Sequence, residues 1–212
     1  MSLSPNHGER RGGARPSLIV LHYTGMPSLA EARERLCDPV HEVSAHWLLA
    51  EDGRAEALVV EDRRAWHAGA GAWGEVSDVN SASIGIEIQN PGNAPFPEPQ
   101  MAGLERLMAG IMSRWQIAPR GVIAHSDMAP HRKVDPGPHF DWRRLARAGL
   151  SVWPDQVAGA PLSGFAADLH RFGYRCEDPA VLLHAFRLRF RPWARGPLDE
   201  TDAALAAGLN RR

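Results

Sequence analysis

The chain reads as an α/β or α+β protein: a central mixed β-sheet flanked by helices, followed by a small three-helix module. Three observations predict this. Apolar runs of strand length alternate with helical patterns up to about residue 150. Beyond residue 162 strand patterns stop and three short helical patterns take over. The composition, 44% hydrophobic and 23% charged over 212 residues, is that of an ordinary globular protein with room for one main domain and an appendage.

Residues 1–16, with their charges and glycines, are expected to form a flexible arm. Residues 17–21 (SLIVL) are a continuous apolar run, which suits a strand buried on both faces and delivers His22 at its end. Ser28 is placed to cap a helix over 29–37, which Asp38-Pro39 ends. The segments 45–50 (AHWLLA) and 57–60 (ALVV) flank Glu51-Asp52-Gly53-Arg54, and the Asp-Gly pair predicts a hairpin. Residues 68–83, rich in Gly, Ser and Asn, read as a long loop. Residues 84–88 (IGIEI) alternate, with three isoleucines on one face and Gly85 and Glu87 on the other.

A proline-rich connection over 90–99 leads to an amphipathic helix over 97–115, with Met101, Leu104, Leu107, Met108, Ile111, Met112 and Trp115 on one stripe. Residues 121–124 form a short strand that ends at His125, and Asp141 caps a short helix to about Ala148. The main domain thus spans 17–150, a linker 151–162, and the helical module 163–212. Its helices are expected at 163–172, 178–190 and 199–208, near the capping residues Ser163, Asp178 and Asp199. About fifty residues in three helices are marginal alone and gain by docking.

A formal charge of −1 gives no reason to expect nucleic acid or an anionic membrane as partner. The N-terminal segment lacks an apolar signal core and no stretch is long enough to span a bilayer, so a cytoplasmic location is expected. Cys37 and Cys176 lie far apart, with no bridge or metal-knuckle spacing, and read as free thiols of a reducing compartment.

The stretch with the most chemistry is 124–140, AHSDMAPHRKVDPGPHF. It offers His125, Lys133 and Asp135 within eleven positions. A neutral imidazole and a carboxylate are both Zn²⁺ ligands, and a lysine beside them can stabilise an anion. A His and an Asp in a turn are more often surface residues, so this pair alone does not make a site. His22 and Glu87 change the balance, because both sit at or in strands. If those strands are neighbours, their ends converge. Two histidines and Asp135 then surround a point and leave a fourth position open, the pattern of a catalytic zinc. Glu87, flanked by isoleucines, becomes a desolvated carboxylate with a raised pKa, suited to moving a proton. From its strand alone, Glu87 reads as readily as a solvent-facing or arginine-paired residue.

The segments LIVLHYTG (18–25), VSAHWLLAEDGR (43–54), AWHAG (65–69), NSASIGIEIQN (80–90) and AHSDMAPHRKVDPGPHFDW (124–142) occur in this order. Together they resemble the zinc-dependent N-acetylmuramoyl-L-alanine amidases of the AmpD and AmiD type, a group related to phage lysozyme-like amidases and peptidoglycan-recognition proteins. The resemblance covers 17 to about 145, and the C-terminal helices resemble a small peptidoglycan-binding module. It implies that His22, His125 and Asp135 bind Zn²⁺, that Glu87 is the catalytic carboxylate, and that Lys133 stabilises the tetrahedral oxyanion. The implied substrate is peptidoglycan or a muropeptide, cut between muramic acid and L-alanine.

His46 and His67 lie in family-like segments, where a place in the substrate groove and a structural role are equally open. Trp66 beside His67 suits stacking on a sugar. Arg132 suits a substrate carboxylate or a loop salt bridge. His41, His131 and His139 read as surface or loop residues. A monomer is expected. The alternative class is a peptidoglycan-binding receptor that lost its chemistry. The filled ligand positions and Glu87 speak against it, and the absence of a His-Glu-x-x-His helix speaks against an unrelated zinc peptidase.

Overall fold

The computed structural model describes residues 3–211. In chain order the elements are β1 His7–Gly8, β2 Leu18–Tyr23, α1 Leu29–Cys37, β3 Trp47–Leu49, β4 Ala55–Ala57, β5 Arg64–Ala65, α2 Val79–Ala82, β6 Ser83–Ile88 and α3 Glu98–Trp115. They continue with β7 Val122–Ala124, α4 His125–Met128, α5 Trp142–Arg147, α6 Phe165–Phe172, α7 Pro179–Phe190 and α8 Glu200–Gly208.

Five strands form the central sheet in the order β4-β3-β6-β2-β7. Strands β3, β6, β2 and β7 run parallel to one another, and β4 adds an antiparallel edge through the predicted hairpin. The expected mixed sheet is therefore present. Parallel strands need cover on both faces, and the chain supplies it. On one face, Ile84, Ile86 and Ile88 of β6 join Ile19, Leu21 and Val122 against Met101, Leu104, Met108 and Ile111 of α3 and Trp142 of α5. On the other, Leu18, Val20 and Ile123 pack against Phe165, Leu169, Phe172, Phe186, Phe190 and Leu205 of the C-terminal helices.

The helix caps lie where side-chain chemistry puts them. Ser28 accepts from the Glu31 N–H, Asp141 from Arg144, Asp178 from Ala180 and Val181, and Asp199 from Asp202. Such a cap is worth about 1 kcal/mol. Ser163 is different: it lies inside a 3-10 turn over Leu162–Gly164 and caps nothing. The hairpin turn needs Gly53, whose φ is 83° and whose Cβ would come within 2.2 Å of the Pro99 carbonyl oxygen.

Two boundaries differ from expectation. The described part of the N-terminal segment is not a flexible arm. β1 pairs antiparallel with β5, Ser4 Oγ donates to the Leu36 carbonyl at 2.6 Å, and Asn6 Nδ2 donates to the Asp38 and Val43 carbonyls at 2.8 Å. Composition suggested mobility, but polar side chains here tie the segment to backbone carbonyls of the main domain. The loop over 68–83 also contains α2, ending directly in β6.

The C-terminal helices share one core with the sheet. Arg189 of α7 pairs with Asp127 of α4, both fully buried, and donates to the Val122 carbonyl at 3.0 Å. Residues 151–162 are an irregular crossing, pinned where the Val157 N–H meets the Ala204 carbonyl at 3.0 Å.

Candidate functional site

The parallel register places the site. His22 at the end of β2 lies opposite Glu87 of β6. Leu21 lies opposite Ala124, the last residue of β7, so the next residue along that strand's path, His125, emerges at the same sheet edge as His22. Residues Ser83, Gly85 and Glu87 share the face of β6 turned away from α3, because side chains alternate along a strand. The loop after α4 returns Asp135 to the same edge, held by the Ser126 N–H on the Asp135 carbonyl at 3.0 Å.

His22, His125 and Asp135 are all buried. His22 Nδ1 stands 2.8 Å from His125 Nδ1 and 3.0 Å from Asp135 Oδ2, and His125 Nδ1 stands 2.9 Å from that same oxygen. Around a tetrahedral ion with ligand bonds of about 2.0–2.1 Å, ligand atoms stand about 3.3 Å apart. The triangle fits such an ion within a few tenths of an ångström. Two imidazoles and one carboxylate are also a donor set that zinc accepts. His125 Nε2 donates to the Ala68 carbonyl at 2.9 Å, which leaves Nδ1 as a bare lone pair aimed at the triangle.

Charge in the site is strongly shaped by burial. Burial lowers the His22 pKa to about 4, with the neighbouring His125 adding to the effect and Asp135 opposing it. For Asp135, burial pushes upward, but the neighbouring His125 and His22 imidazoles outweigh it and hold the carboxyl below its ordinary range. Glu87 moves the other way: burial and then the Asp135 charge raise its pKa well above the ordinary value, opposed by Lys133. Glu87 Oε2 is buried without a hydrogen-bond partner among the described residues. An orphaned carboxylate oxygen of this kind costs free energy, and Glu87 lines an open cavity of about 420 Å³ together with the triangle and Lys133.

Trp66 lines that cavity half-buried, and the exposed Arg132 lines it too. Arg132 is already engaged, however. Its Nε donates to the Ala70 carbonyl at 2.8 Å, and a terminal nitrogen reaches the Ala68 and Ala70 carbonyls. It ties the 68–70 loop across the site. His46 lies outside the cavity lining and is fully buried, with burial lowering its pKa to about 3. Its Nδ1 accepts the Gly85 N–H at 2.9 Å and its Nε2 donates to the Arg63 carbonyl at 3.0 Å, which makes it a structural histidine. His67 borders the cavity, but both ring nitrogens are spent on His22 and Ser83, at 3.0 and 3.1 Å. His46 thus lies in the core away from the cavity, while His67 borders it with both ring nitrogens engaged. Ser83 and Asn80 were not singled out from sequence. Only the two-residue spacing of Ser83, Gly85 and Glu87 signals that Ser83 shares the face of Glu87.

Known proteins share this architecture. The profile of a family described as N-acetylmuramoyl-L-alanine amidase, Amidase_2, matches residues 12–138. The N-acetylmuramoyl-L-alanine amidase AmiD of Escherichia coli is 34% identical over 92% of this chain and 82% of its own. The 1,6-anhydro-N-acetylmuramyl-L-alanine amidase AmpD of Enterobacter cloacae is 31% identical over 67% of this chain and 85% of its own. The structure of E. coli AmiD with anhydro-N-acetylmuramic acid-L-Ala-D-γ-Glu-L-Lys superposes with a TM-score of 0.84, at 31% identity and 96% coverage of each chain. AmpDh3 of Pseudomonas aeruginosa, in complex with anhydromuramic pentapeptide, gives 0.82 at 30% identity, covering 94% of this chain and 93% of that one.

Proposed function

The chain belongs to the N-acetylmuramoyl-L-alanine amidase family, and on that premise we propose that His22, His125 and Asp135 hold a catalytic Zn²⁺ beside Glu87. The protein is a hydrolase. It cuts the amide between N-acetylmuramic acid, or its 1,6-anhydro form, and L-alanine of the stem peptide, in turnover or recycling of the cell wall. A receptor without chemistry is set aside.

Zinc, when bound, supplies Lewis acidity, which acidifies water and polarises a carbonyl. The chain's own residues do the rest. Glu87, in the lining of the cavity, takes a proton from the attacking water and returns it to the leaving amine of L-alanine. Its raised pKa makes it a stronger base than a solvated carboxylate, and a nearby dication would pull that value back down. Lys133 lines the same cavity and places positive charge where the tetrahedral oxyanion develops. Asp135 gives the ligand set one negative charge, so the loaded centre stays net positive.

The placement of Glu87 is the observation that carries this reading: a carboxylate in the lining of a cavity that also holds a three-ligand corner, with its inner oxygen left without a protein partner. Trp66 is the aromatic wall for the sugar. We also propose the anhydro-muropeptide as preferred substrate, which fits the ligands bound in the two related structures. A monomer is proposed. Cytoplasmic recycling is proposed from the two free cysteines. Among the described residues, no helix is long and apolar enough to cross a membrane.

Metal analysis of alanine variants tests the assignment. His22→Ala, His125→Ala and Asp135→Ala are each expected to lose zinc and activity together, because three protein ligands leave no reserve. A variant of any of the three with full zinc content would remove that residue from the ligand set.

A further inference from the structure

His22 must present a bare nitrogen to the metal, and a lone imidazole does not decide which of its nitrogens that is. His125 settles the matter directly, by donating Nε2–H to a carbonyl. His22 has no such carbonyl. Its Nε2 meets another imidazole, His67 Nδ1, at 3.0 Å. That contact fixes nothing unless the tautomer of His67 is itself fixed.

The chain beyond His67 supplies the fixed point. His67 Nε2 lies 3.1 Å from Ser83 Oγ, and Ser83 Oγ lies 2.5 Å from the Val79 carbonyl oxygen. A carbonyl only accepts, so the single hydroxyl proton of Ser83 points to Val79. Ser83 Oγ then accepts, and His67 must donate to it from Nε2–H. In a neutral ring this leaves His67 Nδ1 bare, so His22 must donate Nε2–H to it. His22 Nδ1 is then the unprotonated nitrogen, the one beside His125 and Asp135. Each bond in this series has only one permitted direction, set by a backbone carbonyl three bonds away.

His67 is built into place. Its backbone N–H and that of Ala68 both donate to Asn80 Oδ1, at 3.0 and 2.8 Å. Its ring lies over Gly85, where a Cβ would come within 2.4 Å of the imidazole. Any other residue at 85 displaces the ring. One face of β6 therefore carries three successive functions: Ser83 orients His67, Gly85 makes room for it, and Glu87 reaches the reacting groups.

We propose that His67 is a positioning residue which, through Ser83 and the Val79 carbonyl, sets the tautomer in which His22 binds the metal. It rests on the zinc reading of the His22, His125 and Asp135 triangle. The role differs from substrate binding, since no ring nitrogen of His67 is left for a substrate.

The test uses full-length protein and zinc alone. Zinc affinity is measured by competition with a chromophoric chelator for wild type, His67→Phe, His67→Gln and Ser83→Ala. His67→Phe is expected to weaken zinc by about 10–100-fold, the usual cost of losing a partner of a metal-bound histidine. His67→Gln, which keeps an acceptor for His22, is expected to recover most of the loss. Ser83→Ala, which touches neither metal nor cavity, is expected to weaken zinc in the same direction. In ¹⁵N-histidine spectra, wild-type His67 should be the neutral Nε2–H form. Unchanged zinc affinity in both His67→Phe and Ser83→Ala overturns the proposal, as does a His67 ring protonated on Nδ1. A raised KM with unchanged zinc affinity returns His67 to the substrate groove. If His67→Phe does not fold, Ser83→Ala and the spectra decide. Wild-type protein that binds no zinc sinks the metal reading instead.

Discussion

Replacing Arg189 by Met tests whether the C-terminal helices are part of one fold with the sheet. Arg189 is 2% exposed and Asp127 is fully buried. The guanidinium pairs with Asp127, donates to the Val122 carbonyl at 3.0 Å and to Ser151 Oγ at 3.2 Å, and lies 4.2 Å from the Trp142 ring centroid. Asp127 in turn accepts the Ala124 N–H at 2.9 Å and the Tyr174 hydroxyl at 2.5 Å, at the start of the helix that carries His125. Arg189→Met leaves that carboxylate buried without its counter-charge. Breaking a buried pair this way costs about 3–5 kcal/mol. For a chain of this size each 1 kcal/mol lowers Tm by about 2–4 °C, so the loss is roughly 6–20 °C. Thermal unfolding followed by circular dichroism and calorimetry reads it, and Asp127→Asn in the same chain should restore part of the loss. A decrease below about 1 kcal/mol would refute the reasoning, and with it the view that the helices stabilise the His125 corner.

Three further outcomes are expected. In metal-free protein, Glu87→Gln should raise Tm at pH 8: a raised folded pKa favours the protonated carboxyl, so that stability is lost as pH rises through the folded value, and the gain from Gln should vanish below the ordinary value of 4.5. Equal Tm values for the two proteins at pH 8, by differential scanning fluorimetry, would contradict this. The metal-free protein should also lose stability as pH falls below 6.5, because His22 and His46, lowered to about 4 and about 3, stay neutral when folded while the unfolded chain takes up protons. Each histidine contributes up to about 1.4 kcal/mol per pH unit in that window, and urea unfolding curves that coincide at pH 7 and pH 5 would count against it. Lys133→Ala should retain zinc and lose about 10²–10³-fold in kcat, as for one oxyanion donor, and a loss confined to KM would move Lys133 to substrate binding.

Much of the site was legible because its residues sit on simple patterns. The apolar run before His22 and the alternation of Ile84, Ile86 and Ile88 predicted two buried strands, and the sheet indeed sets His22 opposite Glu87. The caps at Ser28, Asp141, Asp178 and Asp199 were legible because capping is local chemistry. What was not legible depends on contacts distant in sequence. Nothing local to Arg132 says that its donors meet the Ala68 and Ala70 carbonyls. Nothing in residues 1–16 announces that Asn6 bridges two carbonyls more than thirty residues away. The tryptophan beside His67 made it the better groove candidate of the two in sequence, and only the neighbours of the ring nitrogens separate a structural histidine, His46, from one that holds His22. The apparent linker marked a change in chain character, while the core beneath it continued from Leu18 and Val20 to Phe186 and Phe190.

Metal-dependent cleavage is tested most directly by product analysis with and without zinc. Metal-stripped protein, and the same protein reloaded with one equivalent of zinc, are each given a 1,6-anhydro-muramoyl tripeptide, and the products are read by mass spectrometry. Intact substrate is expected from the stripped protein. The reloaded protein is expected to release anhydromuramic acid and a free peptide beginning with L-alanine, with turnover in Glu87→Gln lower by about 10²–10⁴-fold. Intact substrate from a folded, zinc-loaded wild type, or equal cleavage with the metal removed, would contradict the zinc mechanism.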